Sequence, residues 1–273
     1  MTAVGQRTTG EISSGAPLQM GFDLTLAGGG SLRVRVGRPV HLGYENLDEL
    51  LPYDGTRGVV GRSASAKTGA FVARTKDDGF IPRVVGHESS LERATAIRAL
   101  IHPNVCGLKC QPRKVYFSKT IEGLKSNTLD YLVTLKTEQR IYLYVKNEES
   151  LSKPKHALIC EEIRMQLPAG YGFAAVSEAE FPPYVRGNND RMFLAKRFPD
   201  PEADQRLLLA LDDLINVDRF TVEELVFRCG LGPRNADSGR AFDAVLRAVA
   251  DHKLVADRRE LIDYPTVLGL PGG

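Results

Sequence analysis

Three residues of this 273-residue chain, Glu92, Asp130 and Lys146, have side chains suited to phosphodiester chemistry. Two carboxylates can hold one or two Mg²⁺ ions, which take oxygen ligands and keep several waters. Such a cation polarises a phosphodiester and lowers the pKa of its bound water. A neighbouring lysine orients that water or stabilises charge on the phosphate. Spacing alone also admits an ordinary structural account. A glutamate near a helix N-terminus is favourable on dipole grounds, an aspartate can leave a turn, and a lysine can end a strand in water.

The elements around these residues give them a common location. Ser89 or Ser90 can cap a helix in which Leu91, Ala94, Ile97, Leu100 and Ile101 recur three or four apart, and His102-Pro103 stops it. Three candidate strands follow, at 113–118, 130–135 and 140–146, with Glu138 and Gln139 in a tight hairpin between the last two. Antiparallel pairing sets the start of one strand opposite the finish of the next, so Asp130 and Lys146 fall side by side at one sheet edge. If the Glu92 helix packs over that edge, two carboxylates and an ammonium converge. Lys153-Pro154-Lys155 precedes a helix at about 156–167, and a strand follows at 173–177. The order predicts an α/β fold with a mixed sheet flanked by helices.

The remainder divides the chain further. Residues 1–20 read as a flexible tail, 21–83 as a hairpin around Gly28-Gly29-Gly30 followed by a loop-rich stretch, 84–198 as the mixed α/β domain, and 199–273 as a separate module. In that module helices are expected at about 204–217 and 238–251. Thr221 and Glu224 form a capping box before a third helix, and a short strand is expected near 253–258. Three helices, a glycine turn at Gly230 to Gly232 and a terminal strand describe a winged-helix module.

The formal charge of +2 hides an uneven distribution. Residues 1–155 carry 22 basic and 15 acidic side chains, whereas the rest carries 14 and 19. The basic part calls for an anionic partner. Arg113, Lys114, Lys119, Lys125, Lys153 and Lys155 cluster in turns and at strand ends, where they can reach DNA phosphates or form a solvated face. The acidic balance of the C-terminal module argues for protein contact, although Arg234, Arg240 and Arg247 could form a local basic strip. Cys106, Cys110 and nearby His102 could offer three zinc ligands, but no second pair follows at finger-like spacing, so partly buried thiols are the expectation. Four cysteines in a chain of this length suggest no disulfide framework and a cytoplasmic setting. No apolar run approaches the roughly 18 residues of a membrane span, and no membrane partner is expected.

Several short motifs within about residues 84–195 occur in a familiar order: Ser89-Ser90-Leu91-Glu92, His102-Pro103-Asn104-Val105, Gln111-Pro112, Asp130, Tyr144-Val145-Lys146 and Phe173 to Glu178. Together they resemble the nuclease domain of TnsA-type transposon endonucleases, a branch of the PD-(D/E)xK superfamily, and the winged-helix region agrees with that family's layout. The resemblance implies a restriction-endonuclease-like fold and a DNA endonuclease using Mg²⁺, with Mn²⁺ as substitute. It implies double-stranded DNA, a DDE-type transposase subunit and a regulatory ATPase as partners. Glu92, Asp130 and the Val145 carbonyl would hold the metal and Lys146 would orient water and phosphate. Ser90, Gln111 and Tyr144 would line the site, Ser90 as helix cap and Tyr144 stacking or hydrogen-bonding at the phosphate. The family has Gln or Glu where this chain has Tyr144, and a phenol is a poor Mg²⁺ ligand at neutral pH. A weakened or inactive DNA-binding or assembly protein on the same scaffold is therefore the alternative. A restriction- or repair-type nuclease acting without a transposase is a further one.

Overall fold

The structure is a computed structural model that describes residues 21–25, 31–35, 50–56, 68–214, 217, 219–230, 238–256 and 259–271. The chain forms two compact units, Met1–Tyr44 and Glu45–Gly273. In the first, β1 (Gly21–Thr25) pairs antiparallel with β2 (Ser31–Arg35), Gly21 opposite Arg35. The expected tail at 1–20 and the glycine run between these strands lie outside the described residues.

The second unit opens with an antiparallel pair, β3 (Gly69–Arg74) and β4 (Pro82–His87), where the sequence suggests a loop-rich stretch. Helix α1 (Ser90–Ile101) and strand β5 (Val105–Cys110) follow. Next come the hairpin of β6 (Lys114–Ile121) and β7 (Leu124–Thr128), then β8 (Tyr131–Leu135) and β9 (Arg140–Val145). Short α2 (Glu148–Leu151) and α3 (Pro154–Met165) cross over to β10 (Tyr171–Val176), which runs parallel to β9. The principal sheet has the order β10-β9-β8-β5 and is mixed, because β5, β8 and β9 pair antiparallel. Of the four strands expected in this sheet, 113–118 instead belongs to the separate β6–β7 hairpin. The place is taken by β5.

Alternation along the strands separates two cores. Leu132, Tyr142 and Tyr144 face α3 and bury Ile159, Cys160 and Ile163, together with Val115 and Ile121 of the β6–β7 hairpin. Tyr131, Val133 and Val145 face the other way, onto Ala96 of α1 and Ala73 and Val85 of the β3–β4 pair.

Helix α4 (Pro183–Arg197) begins with proline at its first turn, where the missing N–H costs nothing. The sequence carries no clear signal for it. Its buried Asn188 donates to the Glu260 carbonyl and accepts from the Ile262 amide, both at 2.9 Å, so a polar residue occupies a core-facing position. Beyond it lie α5 (Pro201–Asp212), β11 (Phe220–Thr221), α6 (Val222–Arg228), α7 (Ser238–Ala250), β12 (Val255–Ala256) and β13 (Val267–Gly269). The three short strands form a sheet with β13 in the middle. Thr221 and Glu224 make both hydrogen bonds of the capping box. One core runs from Ile97 and Ile101 of α1 through Met192 and Ala195 of α4 into α5, α6 and α7. The packing therefore does not part at residues 198 and 199. Among the described residues no helix is long and apolar enough to cross a membrane.

The expected basic strip on this part is spent internally. Arg240 binds Asp200 at 2.6 Å and Glu202 at 2.9 Å, and buried Arg247 binds Asp204 at 2.8 Å and the Ala195 and Phe198 carbonyls; Arg234 lies outside the described residues. Asp200 also caps α5 by accepting from the Ala203 amide at 3.1 Å. The Arg240 hydrogen bond holds its carboxyl at about 2, below its ordinary 3.8. Asp200→Ala should lower stability by about 1–2 kcal/mol at pH 7 in denaturant unfolding. A depressed folded-state pKa stabilises above the unfolded value, so the wild-type advantage should fade as pH falls from 3.8 toward about 2.

Candidate functional site

Asp130 sits immediately before β8 with its side chain only 7% exposed, and its Oδ2 accepts from the Val145 amide at 2.6 Å. Its own amide donates to the Leu143 carbonyl at 3.1 Å. Because Tyr131 is registered opposite Leu143, the ends of β8 and β9 meet and Lys146 follows directly. Lys146 Nζ stands 4.0 Å from Asp130 Oδ2 and donates to the Val145 carbonyl at 2.9 Å. The third group comes from α1. Ser89, not Ser90, is its N-cap: Ser89 Oγ accepts from the Glu92 amide at 3.1 Å and donates to Glu92 Oε1 at 3.2 Å. Glu92 Oε2 accepts from the Glu88 amide at 2.7 Å. Ser90 is exposed at the first helical position. The Ser-x-x-Glu spacing of a capping box points to Ser89 and would have decided the matter.

Glu92 is buried, and burial raises its pKa above the ordinary carboxylate value; nearby Asp130 adds to the rise and Lys146 opposes it. Glu92, Asp130 and Lys146 therefore form one electrostatic group assembled from α1, β8 and the end of β9. Gln111 braces it. Its backbone is left-handed (φ 40), its amide donates to the Asp130 carbonyl at 2.8 Å, and its side chain donates to Glu88 Oε1 at 3.2 Å.

Tyr144 has a different role from the expected one. It is 1% exposed, and its hydroxyl lies 2.7 Å from Nδ1 of buried His156 on α3, so the hydroxyl is engaged within the core. Its ring lies beneath Lys146, with Nζ 4.9 Å from the ring centroid. Burial, then the Asp130 charge, pushes its pKa up, so it remains a neutral phenol. Burial lowers the pKa of His156, and Lys155, Lys146 and Lys153 lower it further. Nothing in the sequence singles out His156, because its partner lies 12 residues away across a strand-to-helix crossover.

The basic rim is partly engaged. Lys153 pairs with Glu149 at 3.1 Å and Lys155 with Glu122 at 3.7 Å. Lys114 lies 5.2 Å from the exposed Tyr116 ring, Lys119 and Lys125 are exposed on the β6–β7 hairpin, and Arg113 is half-buried at its base. Among the described residues no three His, Cys, Asp or Glu side chains come together to hold a metal. Cys106 and Cys110 lie four residues apart along extended β5, about 13 Å, and each thiol faces a backbone carbonyl.

Asp130 Oδ2 and the Val145 carbonyl lie 4.0 and 2.9 Å from Lys146 Nζ, and Glu92 shares their electrostatic field. A cation among them would relieve the repulsion between the two carboxylates, and so few protein ligands suit a hydrated Mg²⁺ better than a fully protein-bound ion. No family model and no curated protein matches this chain.

Three outcomes follow. A carboxylate with a raised folded-state pKa weakens the fold above that pKa and not below the unfolded value. Glu92→Gln should therefore raise the melting temperature at pH 7.5 without metal, and the gain should vanish below the ordinary glutamate value of 4.5. Tyr144→Phe should cost about 1 kcal/mol, the loss of one buried hydrogen bond. Tyr144→Ala should cost about 3–5 kcal/mol through the cavity it leaves. Both are read from urea unfolding curves.

Proposed function

We propose that this chain is a Mg²⁺-dependent DNA endonuclease subunit of the TnsA type, with a restriction-endonuclease-like sheet and a winged-helix module, cutting the backbone at transposon ends beside a DDE-type transposase. The observation that carries this reading is the convergence of Glu92, Asp130 and Lys146 at one end of a mixed sheet. The motif order that resembles the family adds to it. Three helices, α5 to α7, with a three-stranded sheet fit the winged-helix layout.

Asp130 and Glu92, with the Val145 carbonyl, would hold the cation. When bound, Mg²⁺ supplies Lewis-acid polarisation of the phosphodiester and acidifies a bound water. Lys146 provides a positive charge fixed from three sides, by Asp130, the Val145 carbonyl and the Tyr144 ring, and so needs little reorganisation as charge grows on the phosphate. Lys119 and Lys125 stand exposed to grip flanking phosphates. For the C-terminal module, the internal pairing of Arg240 and Arg247 favours contact with a protein subunit over DNA.

One observation favours a second reading, a DNA-binding or assembly protein without turnover. Tyr144 gives its hydroxyl to His156, so the position that carries Gln or Glu in the family supplies no oxygen to the site. The two readings part in a cleavage assay. Protein with its transposase partner should nick supercoiled plasmid or pre-nicked transposon-end DNA in Mg²⁺ or Mn²⁺. Asp130→Ala and Lys146→Ala should each reduce the rate at least about 100-fold. Absence of cleavage with the partner present would leave the second reading.

A further inference from the structure

A cleft of about 950 Å³ opens at the far end of the principal sheet. Three turns build it: Lys76 to Asp78 between β3 and β4, Lys136 to Glu138 between β8 and β9, and Ala169 to Tyr171 before β10. Cys106 and Lys109 of β5 form part of its wall. Arg140, which starts β9, lines it, whereas Val145 ends the same strand at the candidate site. At about 3.3 Å per residue the two ends stand about 16 Å apart, so this is a separate place on the molecule.

The charges in the cleft do not cancel: five cations, Lys76, Arg83, Lys109, Lys136 and Arg140, face three carboxylates, Asp77, Asp78 and Glu138. Of its five cations, Arg83 is satisfied by Asp78 at 2.6 Å and Asp54 at 3.2 Å. Asp77 is pinned against β5, where its carboxylate leaves no room for a Cβ at Gly107 and lies beside the Cys106 thiol. Lys76, Lys109 and Lys136 are exposed and make no ion pair among the described residues. Arg140 donates one Nη to the Tyr171 hydroxyl at 2.6 Å, which orients its guanidinium and leaves the other donors for a ligand. Sites for small organic ligands are mostly apolar. A polar, open cleft with three unpaired ammonium groups and an oriented guanidinium, drawn from two turns and from strands β5 and β9, suits a ligand with several spaced negative charges.

We propose that this cleft binds the phosphate backbone of nucleic acid, as a second phosphate-binding site remote from Glu92, Asp130 and Lys146. The choice of nucleic acid over an acidic peptide rests on the proposed function; the cleft and its charge surplus do not. These three exposed lysines can be neutralised without touching the cores. The full chain and its Lys76→Gln/Lys109→Gln/Lys136→Gln variant are compared for binding a labelled 30-base-pair duplex by fluorescence anisotropy. Ca²⁺ replaces Mg²⁺, and salt is varied. The variant should bind at least about tenfold more weakly. Its slope of log affinity against log salt should be shallower by about 2–3, near 0.9 for each phosphate that the variant no longer neutralises. Unchanged affinity and slope would overturn the proposal. So would a polyglutamate peptide that displaces the duplex from wild type and binds wild type but not the variant, which would mark an acidic-protein site. Loss of duplex binding in the variant, with no cleavage by wild type under any condition, would retain the cleft and discard the nuclease reading.

Discussion

The buried Asp130 carboxylate constrains everything around it. A charge so far from water is tolerable only when hydrogen-bonded and faced by an opposite charge. Asp130 obtains both from one neighbouring strand end, the Val145 amide at 2.6 Å and the Lys146 ammonium at 4.0 Å. Shifting β9 by one residue would remove the amide and turn Lys146 to the opposite face. The register of the central hairpin and the placement of the lysine are therefore one requirement. Glu92 enters the same field from α1, where burial and Asp130 raise its pKa, so the group costs stability unless something positive joins it.

Each part of the surrounding fold holds one of these groups still. Helix α3 supplies His156 to Tyr144, and Tyr144 lies beneath Lys146, so the lysine is tied through a strand residue to the core on that face. On the other face the β3–β4 pair anchors β8: the Tyr131 hydroxyl donates to the Gly86 carbonyl at 3.1 Å. Helix α4 locks α1 in place. Asp190 binds Arg93 at 2.9 Å, and Lys196 bridges the Ile101 carbonyl and Asp251 at the end of α7. The C-terminal helices thus share a core with the helix that carries Glu92.

Elements with strong local signals could be read from the sequence. Helix α1 has its apolar spacing and a His-Pro stop, β8 and β9 have alternation around a tight turn, and Thr221 and Glu224 have the capping-box spacing. From the hairpin argument alone Asp130 falls beside Lys146. Elements defined by distant partners were not legible. Strand β5, with Gly107 inside it and an irregular register near Val105, lacks clean alternation and is a strand because β8 pairs with it. Helix α4 buries Asn188 and Asn189, which break the apolar stripe that would mark a helix. Strand β3 follows a stretch dense in Gly, Ser and Arg, and its pairing with β4 depends on tertiary packing. Tyr144 shows the same limit within the site. Its type gives no hint of its partner, and only the crossover to α3 reveals that its hydroxyl meets His156.

In the function proposed above, Asp130, Glu92 and the Val145 carbonyl together hold a divalent cation. Iron-directed cleavage tests it without requiring turnover: Fe²⁺ with ascorbate and peroxide generates hydroxyl radicals that cut the polypeptide beside the bound metal. Cuts should cluster near residues 92, 130 and 145, be suppressed by excess Mg²⁺ and be absent in Asp130→Asn. Cuts insensitive to Mg²⁺, or clustered elsewhere such as around His102 and Cys106, would contradict it.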